Sequence, residues 1–308
     1  MRRAFAAGLA ALLSACVTAP VSPPLGTVVP LDAGDPARTG LGELVWRGGV
    51  ELEAPGLGGL SALRWHDGRL YSVIDDGRWA AFVPVEQGGM LTGIRDLSMG
   101  DLLGPDGEKL AGKAAGDAES LTRSARGGWL VGFERDHRIW RYPTLSSRAE
   151  PTGIDPQTIL GVLNDNSGVE ALAGDERSLF LCAERVVDFA QPNCLRQSGG
   201  IITPAPVRPP DTIAALGGVP TDADRGADGT TYVLFRSYSP ADGSGAAIMA
   251  IGPDLERRTL AVLRPPLTLD NMEGLAVREE AGRTFLYLVS DDNFSSRQRT
   301  LLLKVEIR

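Results

Sequence analysis

Hydrophobic positions along this chain come in short bursts rather than at helical intervals. Five bursts stand out, at residues 70–74, 129–133, 179–183, 231–235 and 285–289. Each is rich in β-branched and aromatic residues and is bounded by polar turns, which predicts buried strands. A weaker segment precedes each one: Gly59-Leu60-Ser61-Ala62-Leu63, Ala118-Glu119-Ser120-Leu121, Val169-Glu170-Ala171-Leu172, Thr221-Asp222-Ala223-Asp224 and Met272-Glu273-Gly274-Leu275-Ala276. Aligned on Ser61, Glu119, Glu170, Asp222 and Glu273, the repeats are spaced by 58, 51, 52 and 51 residues. Third strands are visible at 80–85, 138–142 and 246–251.

A repeat of about fifty residues carrying several strands has the size of a propeller blade. The predicted fold is therefore all-β, a β-propeller with five countable blades and room for a poorly patterned sixth. The last repeat has three strands, ending at 301–307, and residues 42–53 read as one extra strand. That N-terminal strand is expected to complete the last blade and remove its open edge.

The ends of the chain add a setting. Met1-Arg2-Arg3, a small apolar stretch and Leu13-Ser14-Ala15-Cys16 read as a signal peptide, residues 1–15, with a lipobox-like end. Cys16 is the expected lipidation site, and residues 16–40, broken by Pro20, Pro23, Pro24, Pro30 and Pro36, read as a flexible tether. The folded body is then 41–308, on the periplasmic side of a bacterial membrane and touching that membrane through its lipid alone. Export favours a disulfide between Cys182 and Cys194 over a metal site, since no histidine or third cysteine lies near them. Loss of Arg2 and Arg3 takes the net charge from −8 to −10. An acidic chain with no basic run is not expected to bind nucleic acid. A monomer is expected.

Topology places chemistry at one mouth of the channel. The anchor opens the innermost strand, and the antiparallel second strand ends on the same face. Glu119, Glu170, Asp222 and Glu273 should therefore meet Asp75, Asp76, Glu134, Arg135, Glu184, Arg185, Arg236, Asp291 and Asp292. Crowded carboxylates repel, and a hard cation such as Ca²⁺ relieves this with oxygen ligands. Asp222, Asp291 and Asp292 are the expected metal ligands. Glu119, Glu170 and Glu273 are the expected carboxylates for catalysis. Arg135, Arg185 and Arg236 offer planar forks to an anionic group, with His137 as an acid, base or binding residue on the same face. The competing account has these acids and arginines as structural struts. No Gly-x-Ser-x-Gly elbow occurs, and His66 reads as a turn residue.

Several of these segments carry a family resemblance. Asn271-Met272-Glu273-Gly274-Leu275-Ala276-Val277, with Leu286-Tyr287-Leu288-Val289-Ser290-Asp291-Asp292-Asn293-Phe294, resembles the C-terminal signature of the bacterial "esterase-like activity of phytase" proteins. Gly59-Leu60-Ser61-Ala62-Leu63, Asp117-Ala118-Glu119-Ser120-Leu121 and Gly168-Val169-Glu170-Ala171-Leu172 fit its other recurring segments. The resemblance implies an exported propeller related to phytases, with hydrolysis of a phosphate or other ester. Two functions follow for test. One is metal-assisted hydrolysis of a small anionic ester, and the other is a non-catalytic envelope protein that binds a ligand or partner at the channel mouth.

Overall fold

The five apolar bursts become the second strands of five blades. The computed structural model describes residues 23–110, 112–161, 163–164, 167–187 and 191–308. The signal peptide and Cys16 lie outside those residues. In chain order come β1 (Thr27–Val29), β2 (Gly40–Leu41) and β3 (Leu44–Glu51). Blade 1 is β4 (Arg64–His66), β5 (Arg69–Ile74), β6 (Arg78–Gln87) and β7 (Met90–Asp101). After α1 (Gly112–Gly116), blade 2 is β8 (Ala118–Arg123), β9 (Trp129–Phe133), β10 (Arg138–Tyr142) and β11 (Glu150–Pro151). After α2 (Pro156–Leu160), blade 3 is β12 (Val169–Asp175), β13 (Ser178–Ala183), β14 (Cys194–Ser198) and β15 (Ile201–Pro204). After α3 (Asp211–Ala214), blade 4 is β16 (Val219–Arg225), β17 (Thr231–Ser239), β18 (Gly243–Ile251) and β19 (Arg257–Leu263). Blade 5 is β20 (Asn271–Glu280), β21 (Arg283–Asp291) and β22 (Leu301–Ile307), completed by β3.

The closure is the one expected from the sequence. Leu302 of β22 pairs with Val50 of β3, so the chain's start and end share one sheet. The space between each pair of neighbouring blades is filled by its own apolar cluster, five clusters for five interfaces. The second strands are covered on both faces, which is why they read as unbroken apolar runs: every residue of β9 is buried.

The tether reading needs correction from Leu25 onward. Leu25 pairs with Ile94, and β1 adds to β3 with Val28 opposite Val50. Leu31 is buried in the cluster between blades 4 and 5. Pro30 ends β1 without preventing it, because an edge strand tolerates a proline just beyond its last paired residue. Within the described residues the segment from Leu25 therefore covers the edge of blade 5 rather than hanging free. Cys182 and Cys194 are direct partners across β13 and β14 and form a disulfide, S–S 2.07 Å.

Candidate functional site

A repeated bulge builds the channel mouth. In each inner strand one extra residue is inserted near the start, where the register with the second strand slips. The slip leaves Glu119 unpaired between Ala118 and Ser120, Glu170 between Val169 and Ala171, and Glu273 between Met272 and Gly274. In blade 4 it falls between Pro220 and Asp222, so the bulged residue is Thr221. In blade 1 Leu60 bridges Ile74 and Arg64 pairs with Tyr71, which puts Ser61 at the same step. A bulge re-aims the extra side chain. The ring at the mouth is thus Ser61, Glu119, Glu170, Thr221 and Glu273.

Asp222, expected as a metal ligand, sits one residue deeper. Its carboxylate accepts N–H bonds from Leu63 (3.2 Å), Ala223 (2.8 Å) and Leu275 (2.7 Å). Arg64 grips both of its oxygens at 2.8 Å. No oxygen is left over for a cation. Arg64 also donates to the carbonyls of Leu172, Ala223 and Leu275, on three different blades, and is 2 % exposed. This pair lies across the channel beneath the mouth.

Above it lies a cavity of about 820 Å³ lined by nine carboxyls and four cations. Asp75, Asp117, Glu119, Glu134, Glu170, Glu184, Asp270, Glu273 and Asp291 face Lys113, Arg135, Arg236 and Arg297. Lys113 Nζ lies 2.7 Å from Asp75, and Arg135 Nε donates to Asp117 at 2.6 Å. Arg236 bridges Glu184 and Glu273. Its Nε is 2.8 Å from Glu273 Oε1 but off the N–H line, so charge rather than an aligned hydrogen bond holds that contact. Arg297 alone among the four has no ion-pair partner among the described residues.

Other expected site residues lie elsewhere. Asp292 does not line the cavity: it accepts from Gly59 N (3.1 Å), Phe294 N (3.0 Å) and Thr300 Oγ1 (3.0 Å), clamping the loop after β21. Arg185 donates to Leu160 O and Gln191 Oε1 and braces blade 3 outside the cavity. His137 borders a separate shallow depression, with Nε2 3.1 Å from Asn164 O. All three sit at strand ends on the predicted face, but loops turn them away from the axis. Asp291 does line the cavity and accepts from Asn293 N at 2.6 Å.

The surplus of acid shows in the titration of these groups. Burial, then the charges of Asp117 and Glu134, raises the Glu119 carboxyl well above the usual range. Burial, then Glu119, Glu134 and Glu184, does the same to Glu170. Burial pushes Glu273 up to about 8, with Arg236 pulling the other way and Asp291 and Glu184 adding to the rise. Burial, with help from Asp75 and Asp292, lifts Asp291 to about 7. Two triads have carboxylate oxygens within 4.8 Å of one another: Asp117, Glu119 and Glu134, and Glu134, Glu170 and Glu184. Glu170 is 6 % exposed, and its Oε1 has no hydrogen-bond partner. Such an orphaned carboxyl oxygen in a buried wall suits a hard cation, so the donor set fits Ca²⁺ or another oxygen-seeking ion.

Sequence reasoning put Glu134 and Glu184 on this face without a role, and passed over Arg64, Lys113, Asp117 and Arg297. One signal for Arg64 was present. Three residues past the ring position the other repeats carry Thr122, Ala173, Asp224 and Ala276, and an arginine in that series needs buried partners.

Comparison with known proteins finds distant structural likenesses and one family by sequence. A thermostable family-43 glycoside hydrolase is 8% identical, with 80% of this chain and 89% of that one covered, at a TM-score of 0.49. The catalytic domain of an α-L-arabinofuranosidase from Coprinopsis cinerea is 11% identical, covering 92% and 97%, at 0.48. A gluconolactonase from Xanthomonas campestris is 13% identical, covering 94% and 100%, at 0.45. At these levels the likenesses carry no argument. No curated protein matches the chain in sequence. The phytase-like family described as "esterase-like activity of phytase" matches residues 55–294, a span that includes the inner strands lining the cavity, and the chain belongs to that family.

Proposed function

We propose that the mouth cavity is the site of a divalent-cation-dependent hydrolase acting on a small anionic ester. The observation that carries this reading is the buried, unpartnered Glu170 oxygen among carboxylates spaced to share an ion. Nine carboxyls against four cations would repel an anionic substrate, and a bound cation removes that obstacle. Glu134, Glu170 and Glu184, with Glu119 beside them, would hold it. Once bound, it would supply Lewis acidity toward the ester oxygen and toward water.

The protein's own groups have separate tasks. Glu273, lifted to about 8, keeps its proton at neutral pH and is suited to protonate a leaving oxygen. Arg236 holds Glu273 and Glu184 in place. Arg135 and Arg236 are engaged by carboxylates, so the anionic end of the substrate falls to Arg297, with Asn293 and Gln298 beside it on the same rim. The Arg64–Asp222 pair ties the inner strands together below the cavity. A screen of phosphate and carboxylic esters, with chelator and with Ca²⁺ or Mn²⁺, tests the reading. Activity that needs the cation is expected, and Arg297→Gln should raise KM for anionic esters while leaving kcat and Tm near wild type. Absence of turnover on any ester, with tight binding of an unreacted ligand, would favour the envelope-binding alternative.

Anchoring through Cys16 completes the proposal. Cys16→Ser should move the protein from the membrane fraction to the soluble one, and unchanged partitioning would remove the lipid from the account.

A further inference from the structure

We infer that the mouth holds two divalent cations in adjacent sites that share the carboxylate of Glu134. This rests on the cation-dependent reading above and deepens it. The two triads of suitably spaced oxygens have one residue in common. Asp117 and Glu119 lie on one side of Glu134, and Glu170 and Glu184 lie on the other. Glu134 Oε1 accepts from Gly168 N at 2.8 Å, which holds this carboxylate between the two sets.

Each triad has its own buried orphan. Glu170 Oε1 is one. The other is Asp117 Oδ1, on a residue 1 % exposed, whose Oδ2 is taken by Arg135. Lys113 Nζ comes no closer than 3.7 Å to it, too far for a hydrogen bond. A single ion in either triad leaves the other orphan unsatisfied. Oxygens within 4.8 Å of one another need only small side-chain rotations to meet an ion at the usual calcium distance of about 2.4 Å.

Charge gives an independent count. With Glu273 protonated, eight ionised carboxyls against four cations leave the cavity at −4 (4 − 8). One divalent ion brings this to −2 and two bring it to zero. Lys113 and Arg135 flank the Asp117 triad, whereas Arg236 alone flanks the other. The Glu170 side should therefore fill first. Paired cations about 4 Å apart suit ester hydrolysis, one polarising the bond and one presenting water.

The test is a count of Mn²⁺ by titration calorimetry together with the EPR spectrum of the loaded protein. Wild type is expected to bind two Mn²⁺, with lines broadened by coupling between neighbouring ions. Glu170→Gln and Asp117→Asn should each retain one ion and show the resolved lines of an isolated one. Glu134→Gln should weaken both sites. If Glu134→Gln fails to fold, the two single-site variants still decide. One uncoupled Mn²⁺ in wild type, with Asp117→Asn binding like wild type, overturns the shared pair and leaves the hydrolase reading standing. No Mn²⁺ bound at any pH overturns both.

Discussion

Asp222→Ala is expected to destabilise the body by about 3–5 kcal/mol, the range for removing one partner of a buried ion pair. The reason is the fate of Arg64. Its guanidinium is 2 % exposed and would face four carbonyls with only Asp224, 3.7 Å from its Nε, left to balance it. The N–H groups of Leu63 and Leu275 would lose their acceptor as well. Since Arg64 touches blades 1, 3, 4 and 5 through these bonds, the damage falls on the packing of the inner strands around the axis. Urea denaturation with a shared m-value measures the change. Replacing both members, Arg64→Met with Asp222→Leu, should cost less than the two single changes summed, because neither member is left buried without the other. A loss below about 1 kcal/mol for Asp222→Ala would mean that water reaches Arg64 and that the pair is not the axle of the fold.

Divalent cations should raise the melting temperature, and more so at high pH. In the cation-free protein Glu273 titrates at about 8 against an ordinary 4.5, and Asp291 at about 7 against 3.8. Both carboxyls hold protons in the folded state that the unfolded chain has already lost. Their contribution is therefore full below about pH 4 and disappears as pH rises through 7 and 8. Within that window each group costs up to about 1.4 kcal/mol per pH unit. Melts of chelated protein from pH 5 to 8.5 should fall steadily. Ca²⁺ competes with protons on the triad carboxyls Glu119 and Glu170, which burial and neighbouring acids also raise, so its stabilising shift should grow as pH rises. Glu170→Gln should shrink the shift strongly, and Glu273→Gln should leave most of it, because Glu273 belongs to neither triad. A calcium response that Glu170→Gln leaves intact would remove the cation from this wall.

At blade 4 the backbone departs from the alignment of acidic residues. The repeats were aligned on Asp222 because a carboxylate there matches Glu119, Glu170 and Glu273 in type. The backbone aligns them on Thr221, whose hydroxyl donates to Met272 O at 3.0 Å. Aligning instead on the apolar residue two places later, Leu63, Leu121, Leu172, Ala223 and Leu275, gives the correct ring from the sequence. A bulge is a local change of register, and chemical likeness at one position is a poorer guide to it than the burial period around it. Asp292, Arg185 and His137 failed for another reason. Strand direction predicts which face a residue reaches, but the loop beyond the strand decides whether it points to the axis or away.

Much was settled by the sequence alone. A fifty-residue recurrence of short apolar runs admits few ways to bury them, and a closed ring of blades is one that leaves no open edge. The same periodicity put Glu119, Glu170 and Glu273 at one mouth, because two antiparallel strands of known order must begin and end there. Cys182 and Cys194 lay close enough, in a chain whose start reads as an export signal, to suggest a disulfide. Tertiary structure decided the remainder, because it depends on partners far apart in the chain. Arg64 and Asp222 are 158 residues apart, and only their meeting separates a structural pair from a metal ligand. Whether Arg135 or Arg236 is engaged, and Arg297 left without an ion-pair partner among the described residues, turns on distances of a few ångströms between blades. Those distances follow from how five apolar interfaces pack together, which no single segment of the chain encodes.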